Sequence, residues 1–289
     1  LDKATFNKFE TANGGSSITE GENIYGKSIT INGALASAIG DVRYSSIEAT
    51  TNSPSASTVS LLDFSSIKVG DGNDALTVTG EMKNSTISLG NGHNSLTLNG
   101  TTTNSFVKAG SGNDILHFAD TISGFGYATV DMGDGNNRLV IDGQFSGNIT
   151  AGSGNDTVEL GNRYASGTID LGGGVNTLIA KGNENRVAAD IRGVQNIAID
   201  GSYSGDILLK EGDGAASIEI KGSVGMNYAN GSSYHQVARY KISLTDADDT
   251  VTLGTAGQNS LVGHTEINLG GGTNLLKINA ENWQTSYFT

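Results

Sequence analysis

Cysteine is absent from the 289 residues, and proline occurs once, at Pro54. The missing thiols exclude a disulfide framework and any thiolate metal or redox centre, and they suit a chain exported unfolded across membranes. Basic residues are sparse, with 17 Lys and Arg against 30 Asp and Glu, so the formal charge is −13 and the pI is near 4.6. Nucleic-acid binding needs a basic stripe that displaces counterions from phosphate, and no such stripe is present. No apolar run approaches the roughly 20 residues of a membrane helix, so no membrane span is expected. The segment from Leu1 is polar and lacks the pattern of a signal peptide. Long amphipathic helical patterns are missing too.

What the chain does have is glycine, 42 of them, and a recurring phrase of the form Φ-x-Φ-G-x-G-x-[D/N]-x-Φ-x-Φ. Its anchor position runs Asp74, Asn94, Asp114, Asn137, Asp156, Asn176, then Gln195, Ala216, Asp249 and Asn274, with first steps of 20, 20, 23, 19, 20 and 19 residues. Apolar residues alternate on both sides of the glycines, as in Ile87 and Leu89 before and Leu96 and Leu98 after, which is the period of a strand with one face inward. Four inward side chains form no core alone, so the rungs must stack on one another. The sequence therefore predicts an all-β, right-handed parallel β-solenoid with rungs of about 20 residues, a rod on the order of 50 Å long. Two strands per rung are expected, joined at one edge by the glycine turn and at the other by return loops. Residues 61–279 carry the period. Residues 1–60 fit it poorly and predict an irregular β cap, and residues 280–289 predict a C-terminal tail or cap.

The strings VGDGNDALTV (69–78), AGSGNDILHF (109–118), MGDGNNRLVI (132–141) and AGSGNDTVEL (151–160) resemble the glycine-rich nonapeptides of RTX (repeats-in-toxin) proteins. That family comprises exported bacterial toxins, hydrolases, adhesins and surface-layer proteins. The resemblance implies a β-roll holding Ca²⁺ between turns, with Asp74, Asp114, Asp156 and Asp249 as carboxylate ligands. Three departures stand against it: the first Gly of the family motif is missing, the motif occurs once per rung, and the anchor is often Asn.

The alternation of Asp and Asn has its own physical reading. Carboxylates on every rung would lie about 5 Å apart and repel by roughly 1 kcal/mol per pair even in water. A bridging cation would offset that repulsion. Asn on alternate rungs doubles the charge spacing and lets amide and carboxylate hydrogen-bond along a ladder without metal.

Catalytic signatures are not found: His93, His117, His235 and His264 are isolated, and HExxH, GxSxG and P-loop patterns are absent. The chain is expected to be non-enzymatic. Aromatic residues recur in the variable return segments, and Phe145, Tyr164, Tyr203, Tyr228 and Tyr234 are the candidate contacts for a partner or glycan, with edge-tiling over small residues as the competing reading. The expected function is a secreted or cell-surface structural protein that self-associates into a surface layer, filament or matrix. The alternatives are a glycan- or host-binding adhesin module and the accessory β-roll of a secreted toxin or hydrolase.

Overall fold

Rungs such as that of residues 75–88 have three strands, one more than the sequence predicts, and others have two. In the computed structural model the chain leaves the glycine corner along one strand, turns into a very short second strand, and enters a third that leads to the next glycine corner. Ala75–Val78, Met82–Lys83 and Thr86–Ser88 form one such circuit. Every strand pair in the described residues is parallel, and like strands of successive rungs stack to give three faces. The structure describes residues 11–12, 18, 20–31, 35–49, 56–124, 128–161, 164–182, 186–210, 212–225, 240–256, 261–263, 265–279, 282–284 and 287–288.

On face A, ahead of the glycine corner, Ile67, Ile87, Val107, Val130, Ile149, Ile169 and Ile191 lie in one vertical column. On face B, after the corner, Leu76, Leu96 and Leu116 are direct neighbours, and the column continues through Leu139, Val158 and Leu178. These side chains are buried. β-branched and γ-branched aliphatics repeat at each level because the pleat sends alternate residues inward, and each buried one contributes about 1.5–3 kcal/mol. In-register stacking is what lets a rung bury them at all.

Face C was expected to be loop. It is a file of single inward side chains: Met82, Thr102, Ile122, Phe145, Ala165, Val187 and Tyr203. Large and small residues follow one another there, so that Phe145 and Tyr203 are accommodated by Ala165 and by the rungs around them. In three rungs the short second strand merges with the third, and Phe145–Thr150, Tyr164–Asp170 and Arg186–Arg192 each serve faces C and A together, before the two separate again at Ser202–Tyr203 and Ile207–Leu208.

The solenoid does not begin near residue 61. Ser28–Ile31, Ser46–Ala49 and Ser66–Lys68 pair in register, so Ile29, Ile47 and Ile67 are stacked, and Ala38–Arg43 lies on Ala56–Asp63. These rungs lack the glycine phrase, which is why their period is hidden. They are held by a second polar column: the N–H groups of Lys27, Ser45, Ser65 and Ser85 donate to Oγ of Ser45, Ser65, Ser85 and Ser105 at 3.0–3.1 Å. At the other end Tyr287–Phe288 pairs with Glu266 and Ile267 on face A, and Asn282–Gln284 pairs with Leu261–Gly263, so the segment after 279 continues the parallel stack.

The glycine corner is tight enough to forbid side chains. Gly112 has φ of +121°, and a Cβ there would fall on the carbonyl oxygen of Gly92 one rung below. The corner is thus specified by steric exclusion as well as by turn geometry.

Candidate functional site

The anchor side chains line the inside of the glycine corner, and all four candidate calcium ligands, Asp74, Asp114, Asp156 and Asp249, are buried there. Each anchor oxygen accepts the backbone N–H of the anchor one rung earlier. Asn94 N–H donates to Asp114 Oδ1 at 2.7 Å, Asp114 N–H to Asn137 Oδ1 at 2.9 Å, Asn137 N–H to Asp156 Oδ1 at 2.9 Å, and Asp156 N–H to Asn176 Oδ1 at 2.8 Å. Asp and Asn suit the position because it uses a side-chain acceptor, which Gln195 Oε1 also supplies to Asn176 N–H at 2.7 Å. The ladder runs from backbone N–H to side-chain oxygen, while the Asn137 amide turns to the corner carbonyls.

The second polar atom of each anchor separates the two residue types. Asn137 Nδ2 donates to the carbonyls of Gly133 and Gly135, Asn176 Nδ2 to those of Leu171 and Gly193, and Asn274 Nδ2 to those of Leu269 and Gly271. The corner therefore offers acceptors to whatever occupies that place. In Asp114, Asp156 and Asp249 the occupant is Oδ2, which is buried with no hydrogen-bonding partner. Burial raises the pKa of all three, most for Asp156, which is pushed up to about 6 against the hydrogen bonds from Asn137.

This donor set does not fit calcium. Ca²⁺ takes six to eight oxygens and is favoured by several carboxylates. Here one oxygen of each anchor carboxylate is committed to a backbone N–H, and the levels above and below Asp156 carry Asn137 and Asn176, whose NH₂ groups point at the corner carbonyls. The acidic neighbours are committed as well: Asp71 Oδ1 accepts from Asn91 N–H, Asp134 Oδ1 from Ser153 N–H, Asp246 Oδ1 from Gly271 N–H and Asp248 Oδ1 from Thr273 N–H. Among the described residues no three His, Asp or Glu side chains converge on a point. What the structure shows at the four residues that the resemblance implies as calcium ligands is a ladder that satisfies backbone donors.

A further exposed column, Asn73, His93, Asn113, Asn136 and Asn155, flanks the anchors on the outside of the corner and runs the opposite way. There the later rung donates, as in His93 N–H to Asn73 Oδ1 at 2.8 Å and Asn113 N–H to His93 Nδ1 at 2.9 Å. His93 is thus an acceptor in a structural ladder. His117 Nε2 lies 2.8 Å from Asp142 Oδ2 on the surface.

Two of the expected aromatic contacts are corrected. Phe145 and Tyr203 are each only 1% exposed and belong to the face C core, and Tyr203 Oη donates to the Ala189 carbonyl at 3.0 Å. Tyr164 is on the surface, with the Arg186 guanidinium 5.8 Å from its ring centre. Tyr228 and Tyr234 lie outside the described residues. No helix among the described residues is long and apolar enough to cross a membrane. Comparison with family models, curated proteins and solved structures gives no match, so the reading rests on geometry.

The sequence reading missed the most prominent aromatic feature. Tyr25, Tyr44 and Phe64 stand on successive rungs at the corner between faces C and A, 67%, 51% and 52% exposed. Tyr44 and Phe64 are stacked, with ring centres 5.3 Å apart and planes 6° from parallel, and Tyr25 meets Tyr44 edge-on at 5.6 Å. The next two rungs place Asn84 and Asn104 at the same corner. All four corner residues from Tyr44 to Asn104 have φ between 47° and 51°, a left-handed conformation that Asn tolerates and bulky residues avoid. The penalty of about 1–2 kcal/mol per aromatic is comparable to the roughly 0.5–1.5 kcal/mol that an aromatic pair returns. Stability alone therefore gives no reason to prefer rings over Asn here. The signal in the sequence was the repeated YSSI (44–47), FSSI (64–67), NSTI (84–87) and NSFV (104–107).

Proposed function

We propose that this chain is a non-enzymatic, secreted or cell-surface structural protein of RTX-like type, which self-associates into a layer, filament or matrix. The observation that carries the reading is the in-register parallel stacking of faces A and B along the described rungs, with face C stacked from Ile24 to Tyr203 and polar columns at two corners. Such an object is a stiff rod. Whichever rungs terminate it in the cell, a parallel ladder presents N–H and C=O groups along the rod axis, and those groups pair with another ladder unless something covers them. The acidic, cysteine-free composition supports an extracellular setting, and the exposed ladder at the glycine corner gives the rod a regular polar edge. Support for a non-enzymatic role comes from the histidines: His93 is used as a backbone acceptor and His117 pairs with Asp142 in the open.

The test is electron microscopy together with sedimentation velocity on the purified chain across a concentration series, with calcium and with chelator. Filaments or sheets that grow with concentration in both conditions are expected. A single monomeric species at every concentration would refute the proposal.

A further inference from the structure

We infer that the corner at Phe64 is a binding site for a neutral pyranose sugar, with the Phe64 ring as its platform. This goes beyond the scaffold reading and stands or falls separately from it. The ring ladder ends abruptly. One face of Phe64 is covered by Tyr44, while the rung on its other side carries Asn84 in place of a third ring. A change from a ring to a short amide at the same corner leaves a shelf one ring wide. An open depression of about 330 Å³ lies there, lined by Tyr44, Ser46, Phe64, Ser66 and Asn84 together with two buried ladder serines.

The lining fixes the chemistry of the occupant. It combines an apolar ring with hydroxyl groups and an amide, and it contains no acidic or basic side chain. Charged residues immediately precede the corner at Arg43, Asp63 and Lys83, and Arg43 and Asp63 are paired with each other at 3.3 Å. Asn84 Oδ1 accepts from Asn104 Nδ2 at 3.4 Å, so the NH₂ of this half-buried residue is the group left to donate to a ligand. A ligand matched to this surface is uncharged, has one flat C–H face and carries hydroxyls around its rim. A pyranose with equatorial hydroxyls has that shape, with axial C–H bonds to set against the positive-edge, negative-face quadrupole of the ring. The volume is at the low end for small-molecule sites, whereas a stable protein interface takes about 800 Å² from each partner and would need a far larger apolar patch. The left-handed backbone at Tyr44 and Phe64 is a second indication, because strained positions that fold stability does not require cluster at binding surfaces.

The site is tested with the full chain and three probes, cellohexaose, xylohexaose and chitohexaose, by calorimetric titration and by saturation-transfer NMR. At least one should bind with a Kd in the millimolar range or below, with saturation transferred to its axial C–H protons. Phe64→Asn should weaken that affinity about tenfold while leaving the thermal midpoint in place, since Asn already occupies this corner on the next two rungs at the same φ. Phe64→Tyr should keep the affinity. The inference is overturned if none of the three saccharides binds at about 10 mM, if Phe64→Asn binds as the parent does, or if Phe64→Asn abolishes assembly and leaves saccharide binding unchanged, which would make the ladder a contact between copies.

Discussion

Asn137 donates its backbone N–H to Asp156 Oδ1 at 2.9 Å, and the other carboxylate oxygen of Asp156 is buried without a partner. The same corner position on the adjacent rungs is filled by the Nδ2 groups of Asn137 and Asn176, both of which donate to turn carbonyls. Asp156 thus performs half of the task that Asn performs in full.

Replacing Asp156 by Asn should accordingly stabilise the protein at neutral pH. A buried polar atom without a partner costs about 1–3 kcal/mol, and the substituted amide would recover a fraction of that by donating to the corner carbonyls. Chemical denaturation at pH 7.5 or so, comparing midpoints at constant slope, reads the effect. A lower midpoint for Asp156→Asn would contradict the ladder as described.

The same residue sets a pH dependence with a definite sign. Burial raises its pKa from the ordinary 3.8 to about 6, so the folded state holds the proton more tightly than the unfolded chain. Stability from this group is fully present below 3.8 and is lost as pH rises through about 6. Asp114 and Asp249 are shifted in the same direction by burial and add to the trend. Unfolding free energy measured from pH 7 down to pH 5 should rise, and the rise should be smaller in Asp156→Asn.

Calcium should leave thermal stability unchanged. A ligand that binds only the folded state raises the midpoint with its concentration, whereas one oxygen of each corner carboxylate is already committed to a backbone donor and the neighbouring anchors are largely Asn. Scanning calorimetry in millimolar calcium and in chelator should give coincident transitions, and a calcium-dependent rise of several degrees would show that the corner opens to admit the ion.

Tyr203→Ala should destabilise by about 3–5 kcal/mol, the range for truncating a large buried aromatic, and Tyr203→Phe by about 1–3 kcal/mol through the stranded Ala189 carbonyl. Tyr164→Ala, at an exposed position, should stay within about 0.5 kcal/mol. Urea melts of the three variants separate the core aromatic from the surface one.

The glycine corner and faces A and B could be read from the chain because two inward aliphatics stand at fixed distances on each side of an invariant turn, as with Ile87, Leu89, Leu96 and Leu98. Face C could not. Its strands are two residues long at Met82–Lys83 and Thr102–Thr103, each contributes one inward side chain, and that side chain changes from Met to Thr to Ile to Phe. A period with one variable letter per turn carries little signal, which is how Phe145 and Tyr203 came to look like surface contacts. The N-terminal rungs were obscured for a different reason. The link from face A to face B lacks the GxGx[D/N] phrase there, while the serine column at the other corner and the strand stacking are the same as in later rungs. Tyr44 and Phe64 fell within that stretch and went unnoticed with it.

The two polar files at the glycine edge point in opposite senses along the rod. In the inner one, the amides of the anchors from Asp74 to Asn176, and of Ala216 and Asp249, are each answered by a side chain later in the chain, so such a coil stays chemically incomplete until its successor closes it. Successive rungs then close like a zip, each arriving segment drawn onto the last one by a waiting donor.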